Sequence, residues 1–494
     1  MQKLPRTLYR TDQVKELERI AINEYGISSF NLMTKAGYEV FQCVTGKWPN
    51  AGAVAVFCGS GNNGGDGYIA ASLAHQAGLQ VCVYTMATVE KLTGDALAAY
   101  QNYVSANGKV VLFDALQPIN ADVLVDALLG TGLNRSVTGR YAEAIKAINA
   151  CPVPVIAIDI PSGLNADTGY VDDHAVKADC TVTFIGLKQG LFSGQAAEYC
   201  GNIFYTSLLV PDGVFQKVTP SAYRVVHAPM PRRNRCAHKG AYGHVLIIGG
   251  DKGFIGAARL AAEAALRTGA GLVSIATRTE HSSIISLTRP EVMCHGVANG
   301  VQLSPLLKKA NVIVIGPGLG QSEWAKELLI TAILTRKLMV IDADALNILA
   351  NTMFARHKLA LVSSTRVLTP HTGEAARLLM TTTSMIQKDR FAAAYEIQRK
   401  YGGVVVLKGA GTLIASEDDL AISTTGNPGM ASGGMGDVLS GVIGALLAQG
   451  LSLKDAAQQG VFLHGLAADL AVEKDGERGL LASDLMPYLR KLVN

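Results

Sequence analysis

A chain of 494 residues is too long for one hydrophobic core, so two or three domains are expected. With 49% apolar and 17% charged residues it is globular, not disordered. A net charge of only +4 argues against a general nucleic-acid binder, which needs a concentrated basic face. No stretch approaches the roughly 20 apolar residues of a spanning helix. The N-terminus lacks the apolar core of a signal peptide. The eight cysteines form no C-x-x-C pair, so neither a zinc site nor a disulfide framework is indicated. A soluble cytoplasmic protein without membrane or nucleic-acid partners is the expectation.

Taken in order, residues 11–24 read as an amphipathic helix with Val14, Leu17, Ile20 and Ala21 on one face and Thr11 as its cap. A second helix is expected over about 29–44. Residues 53–58 are a short continuous apolar run, the pattern of a strand buried on both faces. It leads into Gly59-Ser60-Gly61-Asn62-Asn63-Gly64-Gly65-Asp66-Gly67, and a helix-like run follows at 68–76. Strand, glycine loop and helix open a doubly wound α/β unit. The unit repeats through strands at 81–84, 123–129, 155–159 and 180–184, with a helix at 94–106. This alternation predicts a mostly parallel sheet with helices on both faces. Ligands in such sheets bind at the carboxyl ends of the strands. Three loops converge there, carrying Asn62, Asn63, Asp66, Asp126, Thr131, Asp159 and Ser162. Oxygen ligands from Asn63, Asp126 and Ser162 suit a hard cation. An aspartate at one strand end can equally be a loop cap; three polar strand ends in one sheet weaken that alternative.

These three loops, Gly-Ser-Gly-Asn-Asn-Gly-Gly-Asp-Gly, Asp-Ala-Leu-Leu-Gly-Thr-Gly and Asp-Ile-Pro-Ser-Gly-Leu-Asn, resemble the N-terminal domain of the YjeF family. In that family the domain is a Rossmann-like NAD(P)H-hydrate epimerase holding K⁺. The resemblance implies K⁺ ligands at Asn63, Asp126 and Ser162. It also implies a substrate site lined by Asn62, Asn63, Gly64, Gly65, Asp66, Gly130, Thr131, Gly132, Leu133, Asn134, Arg135, Ser136, Tyr141 and Asp159. Epimerisation makes and breaks bonds at C6 of the hydrated ring, so an acid or base must stand beside it; Asp159 is the candidate. Some relatives of this domain are only scaffolds, which leaves a binding or assembly role as the rival reading.

Four prolines between 211 and 231 mark a linker, and the boundary falls near 222, giving domains 1–221 and 222–494. The basic cluster Arg232, Arg233, Arg235, His238 and Lys239 reads first as a solvated face and second as a phosphate-facing rim. A second α/β sheet follows, with strands at 244–248, 272–276, 312–315, 338–341, 367–369 and 404–407. An alanine-rich helix at 257–267 is ended by Gly269 and Gly271. Gly426-Asn427-Pro428-Gly429-Met430-Ala431-Ser432-Gly433-Gly434-Met435-Gly436-Asp437 then feeds an apolar helix. A glycine turn at a helix N-terminus offers unpaired N–H groups to an anion, commonly phosphate. Asp437 among them is expected to stay ionised and to take a proton from a substrate hydroxyl. Lys408-Gly409-Ala410-Gly411-Thr412 is no Walker loop. It can cradle phosphates or simply turn a hairpin. His371 is either a packed loop residue or a substrate contact.

Six motifs in order at 238–244, 316–320, 342–346, 369–374, 408–412 and 433–437 resemble the C-terminal domain of the same family, ribokinase-like and an ADP-dependent NAD(P)H-hydrate dehydratase in bacteria. The resemblance covers nearly the whole chain. It implies nucleotide contacts at Lys408, Gly409, Ala410, Gly411, Thr412 and Gly436, and hydrate contacts at Ala257, Gly320, His371 and Asp437. It also implies ADP as co-substrate, Mg²⁺, the hydrates NADHX and NADPHX as substrates, and a homo-oligomer. A small-molecule kinase releasing a stable phosphoester is the rival for this half.

Overall fold

The computed structural model describes residues 3–133, 135–351 and 363–494. The chain divides into two compact units, Met1–Tyr223 and Arg224–Asn494. Among the described residues no helix is long and apolar enough to cross a membrane.

The first unit is built on a seven-stranded sheet. Its order is Lys109–Leu112, Gln80–Thr85, Ala53–Cys58, Val123–Ala127, Val155–Ile158, Cys180–Phe184, Asn202–Thr206. Every pairing is parallel. The central strands are buried along their length, which explains their unbroken apolar runs. Ala53–Cys58 is the earliest of these strands in the chain, and its neighbours lead away in opposite directions. The crevice at its carboxyl end is therefore the topological switch point where such sheets bind ligands.

Two helices differ from the sequence reading. Thr11–Asn23 forms as expected, but Arg10 occupies the cap position; Thr11 is already helical and donates to Asp167 from both N and Oγ1. The helix expected from Tyr68 begins at Asn62 and runs to Gln76. Most of the glycine run is thus helix, and its glycines permit close packing. A Cβ on Gly64 would lie 2.1 Å from the Gly59 carbonyl oxygen, and one on Gly65 2.5 Å from Met33.

In the second unit the sheet runs Leu420–Ser423, Thr412–Ala415, Val404–Leu407, Arg366–Leu368, Leu338–Ile341, Val312–Ile315, His244–Ile248, Leu272–Thr277, Met293–Gly296. It is parallel from Val404–Leu407 onward and closes with an antiparallel hairpin at the other edge. The alanine-rich helix spans Ile255–Thr268 and ends at Gly269, whose φ of 109° is left-handed. It lies against helix Met435–Ala448, apolar on nearly all sides and buried accordingly. The two backbones approach so closely that a Cβ on Gly441 would fall 2.0 Å from the Ala261 oxygen. That contact fixes the position of the Met435–Ala448 N-terminus.

Candidate active sites

At the switch point of the first unit lies a cavity of about 530 Å³. Of the residues expected there, Asn62, Asn63, Asp66, Gly130, Thr131, Gly132, Leu133, Arg135, Tyr141 and Asp159 line it. Gly64 and Gly65 do not; they are buried in helix packing. Ser136 bonds to Asp172. Asn134 lies outside the described residues.

Asp159 closes strand Val155–Ile158 with φ +65°, a left-handed backbone that costs a non-glycine residue about 1–2 kcal/mol. Its Oδ1 accepts from Thr183 Oγ1 at 3.2 Å and from the Lys188 ammonium. Lys188 is 1% exposed and also donates to Thr183 Oγ1 and the Phe184 carbonyl. Burying an ammonium is unfavourable unless it is paired, so Lys188 and Asp159 stabilise one another. The sequence reading missed Lys188; its signal was a lysine four residues past the end of an apolar strand. Glu18, also missed, reaches the same cavity from helix Thr11–Asn23. Burial, followed by Asp159, holds the Asp66 carboxyl well above the ordinary range, and Glu18 adds to this.

Beside the cavity, Asp126 is fully buried in the central strand. Its Oδ1 accepts from Ser162 Oγ at 2.6 Å and its Oδ2 from Ser162 N at 2.8 Å. Burial still pushes its pKa up to about 6, against the hydrogen bonds from Ser162 and Leu128 that favour the carboxylate. Asn63 Nδ2 is buried without a hydrogen-bond partner. The buried Asp126 carboxylate, the Ser162 hydroxyl bonded to it and the amide oxygen of Asn63 are hard oxygen donors of the kind that suits a monovalent cation.

In the second unit the glycine run makes one 3-10 turn at Pro428–Met430 and then a loop to Gly434, which caps helix Met435–Ala448 with φ +90°. Asp437 is the third helical residue. The expectation that it stays ionised is not met: its pKa is pushed up to about 7, by burial first and then by Asp342, with Asp344 and Glu374 adding to the shift. Burial and the three carboxylates together outweigh the one ammonium that opposes them, that of Lys408. A group poised near neutrality is well matched to general-base work.

Lys408 Nζ lies 2.9 Å from Asp342 Oδ1 and 3.8 Å from Glu374 Oε2. Asp342 is 1% exposed, and its other oxygen accepts from Ser440 Oγ at 2.7 Å. Gly436 adjoins this pair: a Cβ there would come within 3.3 Å of Lys408 Nζ. The segment 408–411 turns a hairpin between Val404–Leu407 and Thr412–Ala415. Its carbonyls are gathered by buried Arg390, which donates to Leu407 and Lys408 at 3.1 and 3.3 Å and also to Ala410. Lys408 N donates to the Pro370 carbonyl at 2.9 Å, and holding the carbonyls inward leaves the N–H groups of Gly409, Ala410 and Gly411 to an anion. Neither Arg390 nor Asp342 was singled out from sequence. Arg390 sits in an ordinary helical run, whereas Asp342 opens a recognised motif.

Gly320 N donates to Asp344 Oδ2 at 2.9 Å, and Gly318 packs against Ala257. His371 caps helix Thr372–Leu379, its Nδ1 accepting from Gly373 N at 2.9 Å. That bond leaves the proton on Nε2, and burial, then Lys408, lowers the imidazole pKa, so the ring is neutral. The cluster at 232–239 is solvent-facing, with Arg233 stacked over Tyr242 at 3.9 Å.

Residues 29–190 match the family described as YjeF-related protein N-terminus, and residues 245–491 match the family described as NAD(P)H-hydrate dehydratase. The chain is 49% identical over 492 residues to the bifunctional NAD(P)H-hydrate repair enzyme Nnr of Coxiella burnetii, covering 99% of each. It is 44% identical to the enzyme of that name from Escherichia coli, covering 99% of this chain and 95% of that one. A solved ADP/ATP-dependent NAD(P)H-hydrate dehydratase from Bacillus subtilis, co-crystallised with ATP and Mg²⁺, is 30% identical with a TM-score of 0.47. That match spans 53% of this chain and 93% of that one. The chain belongs to the family of bifunctional NAD(P)H-hydrate repair enzymes, carrying both the epimerase and the dehydratase domain.

Proposed function

We propose that the second unit dehydrates the S hydrate of NADH or NADPH at the expense of ADP, and that the first unit interconverts the R and S hydrates so that both are recovered. Hydroxide is a poor leaving group, and phosphate is a good one. In this reading the C6 hydroxyl oxygen attacks the terminal phosphorus of ADP while Asp437 accepts its proton. The bond from that phosphorus to the AMP oxygen breaks. Phosphate then leaves C6 with its oxygen, a C5 proton is lost, and the dihydronicotinamide is restored with AMP and phosphate as products. The N–H groups at the start of Met435–Ala448, Lys408 and the 408–412 loop hold the phosphoryl group. Ala257, Gly320 and His371 line the hydrate.

The observation that carries this reading is Asp437 at a helix N-terminus, poised near neutral pH beside a lysine–aspartate pair. Among the described residues no cluster of three or more His, Cys, Asp or Glu could hold a metal. Mg²⁺ would be held by the nucleotide's phosphates, with the carboxylates of Asp344 and Asp437 available to it, and would spread the phosphates' negative charge. K⁺ would be held by Asn63, Asp126 and Ser162, balancing the buried Asp126 carboxylate and stiffening the loop at 126–132. Asp159 serves as the acid–base group of the epimerase.

The test is absorbance recovery from mixed hydrates with ADP or ATP. Two phases are expected, a fast one from the S hydrate and a slower one limited by epimerisation, with AMP formed from ADP. Accumulation of a stable phosphoester would favour the kinase reading instead.

A further inference from the structure

Epimerisation at a carbon bearing a hydroxyl needs proton transfer on both faces of the ring. One group must protonate the departing oxygen, and another must deprotonate the arriving one. Asp159, anchored by Lys188, can serve one face. We propose that Glu18 is the second catalytic group of the epimerase, the proton donor to the C6 hydroxyl opposite Asp159. The proposal rests on the epimerase reading above.

Three observations support it. Glu18 lines the 530 Å³ cavity together with Asp66 and Asp159, but it arrives from a different element, helix Thr11–Asn23. Among the described residues its carboxyl makes no hydrogen bond and no ion pair, whereas the neighbouring Glu16 is clamped by Arg19. A partly buried carboxyl without a partner is a cost to the fold, and such costs concentrate at functional sites. The groups facing it are Lys15 on its own helix, Asp66 on Asn62–Gln76, Asp159 after Val155–Ile158, and Lys188. Burial first, and Asp159 next, raise its pKa against the opposing pull of Lys188 and Lys15. Among the carboxyls of this cavity Glu18 is shifted toward its protonated form and Asp159 is paired with a cation, which divides acid and base roles between them.

The step balances. The Glu18 proton moves to the C6 hydroxyl, the C6–O bond breaks, and water departs as the N1 lone pair forms a C6=N1 iminium. Water then adds from the Asp159 face and loses its proton to Asp159, while the iminium electrons return to N1. The reverse passage exchanges the two roles. Glu18 lies outside residues 29–190, the part of the chain matched by the N-terminal family model, so that match does not reach it.

The test uses the full chain with mixed hydrates and saturating ADP. In Glu18→Gln the fast phase should be unchanged, and the slow phase should fall at least about 100-fold toward the spontaneous rate. The slow phase of the wild type should decline on the alkaline side as Glu18 ionises. Glu18→Asp should keep that limb at reduced rate, and the residual rate of Glu18→Gln should lack it. A Glu18→Gln rate within twofold of wild type would overturn the proposal. So would a reduced rate with the alkaline limb intact, the signature of a merely structural residue. If Glu18→Gln does not fold, Glu18→Asp decides by the same limb. A wild type with no slow phase beyond spontaneous epimerisation would remove the epimerase reading itself, and this proposal with it.

Discussion

Two glycine-rich runs, 59–67 and 426–437, look alike in sequence and differ in what they do. In the first unit the run is largely helix from Asn62, and its glycines let the helix sink against Gly59 and Met33. The titratable groups there are side chains around a cavity, Glu18, Asp66 and Asp159, with Lys188 paired to Asp159, and the proposed epimerase chemistry rests on them. In the second unit the run holds only a short 3-10 turn at Pro428–Met430 before Gly434, so the helix begins late, at Met435. The proposed chemistry there rests on backbone plus Asp437. A reversible exchange between two faces of a ring needs paired acids, whereas a phosphoryl transfer needs a cradle for anions. The difference lies in where the helix starts.

The largest expected break in this comparison is Asp437→Asn. Dehydration should fall by on the order of 10³-fold or more, since the variant loses its base. Wild-type kcat/KM should also decline below about pH 7, where protonation removes that base. A flat pH profile would mean that another group takes the proton.

Paired glycine substitutions sharpen the comparison. Gly64→Ala meets the Gly59 carbonyl at 2.1 Å and should destabilise the first unit by roughly 1–3 kcal/mol, seen as a lower unfolding midpoint. Gly436→Ala meets the end of the Lys408 side chain at 3.3 Å and touches Asp342 Oδ2 at an ordinary 3.7 Å. It should leave stability nearly unchanged and raise the nucleotide KM by roughly tenfold. If the two effects were exchanged, the division between packing and binding glycines would be wrong.

A smaller effect follows from linkage. The folded Asp437 pKa is raised, so its protonated form is favoured in the fold, and stability is lost as pH rises through about 7. Asp437→Asn should therefore be more stable than wild type at pH 8, by on the order of 1 kcal/mol or roughly 2–4 °C. The gain should shrink at pH 5. A gain independent of pH would point to packing rather than charge.

The smallest effect concerns K⁺. Protonation of Asp126, raised to about 6, competes with the cation, so more K⁺ should be needed for full epimerisation at pH 5.5 than at pH 8. An unchanged K⁺ requirement would place the cation elsewhere.

Much of this was legible from sequence because it rests on local signals. Apolar runs ending in polar turns marked most strands of both sheets, and Gly434–Asp437 announced a helix terminus. Short edge strands such as Lys109–Leu112 and Met293–Gly296 were missed, being half exposed and only four residues long. The start of Asn62–Gln76 was missed because glycine reads as loop until its packing partners are known. Glu18, Lys188 and Arg390 were missed for a further reason. Their roles come from tertiary contacts, and each sits in a segment whose local pattern is unremarkable. The charge state of Asp437 depended likewise on Asp342, Asp344 and Glu374, more than sixty residues away in the chain.

The most direct test of two independent chemistries in one chain follows the hydrate composition of Asp437→Asn. Purified R hydrate is incubated with the variant and ADP, and R and S are resolved over time. The account predicts rapid equilibration of R with S at the wild-type epimerase rate and no reduced cofactor. Recovery of reduced cofactor at the wild-type rate, or loss of equilibration together with dehydration, would contradict it.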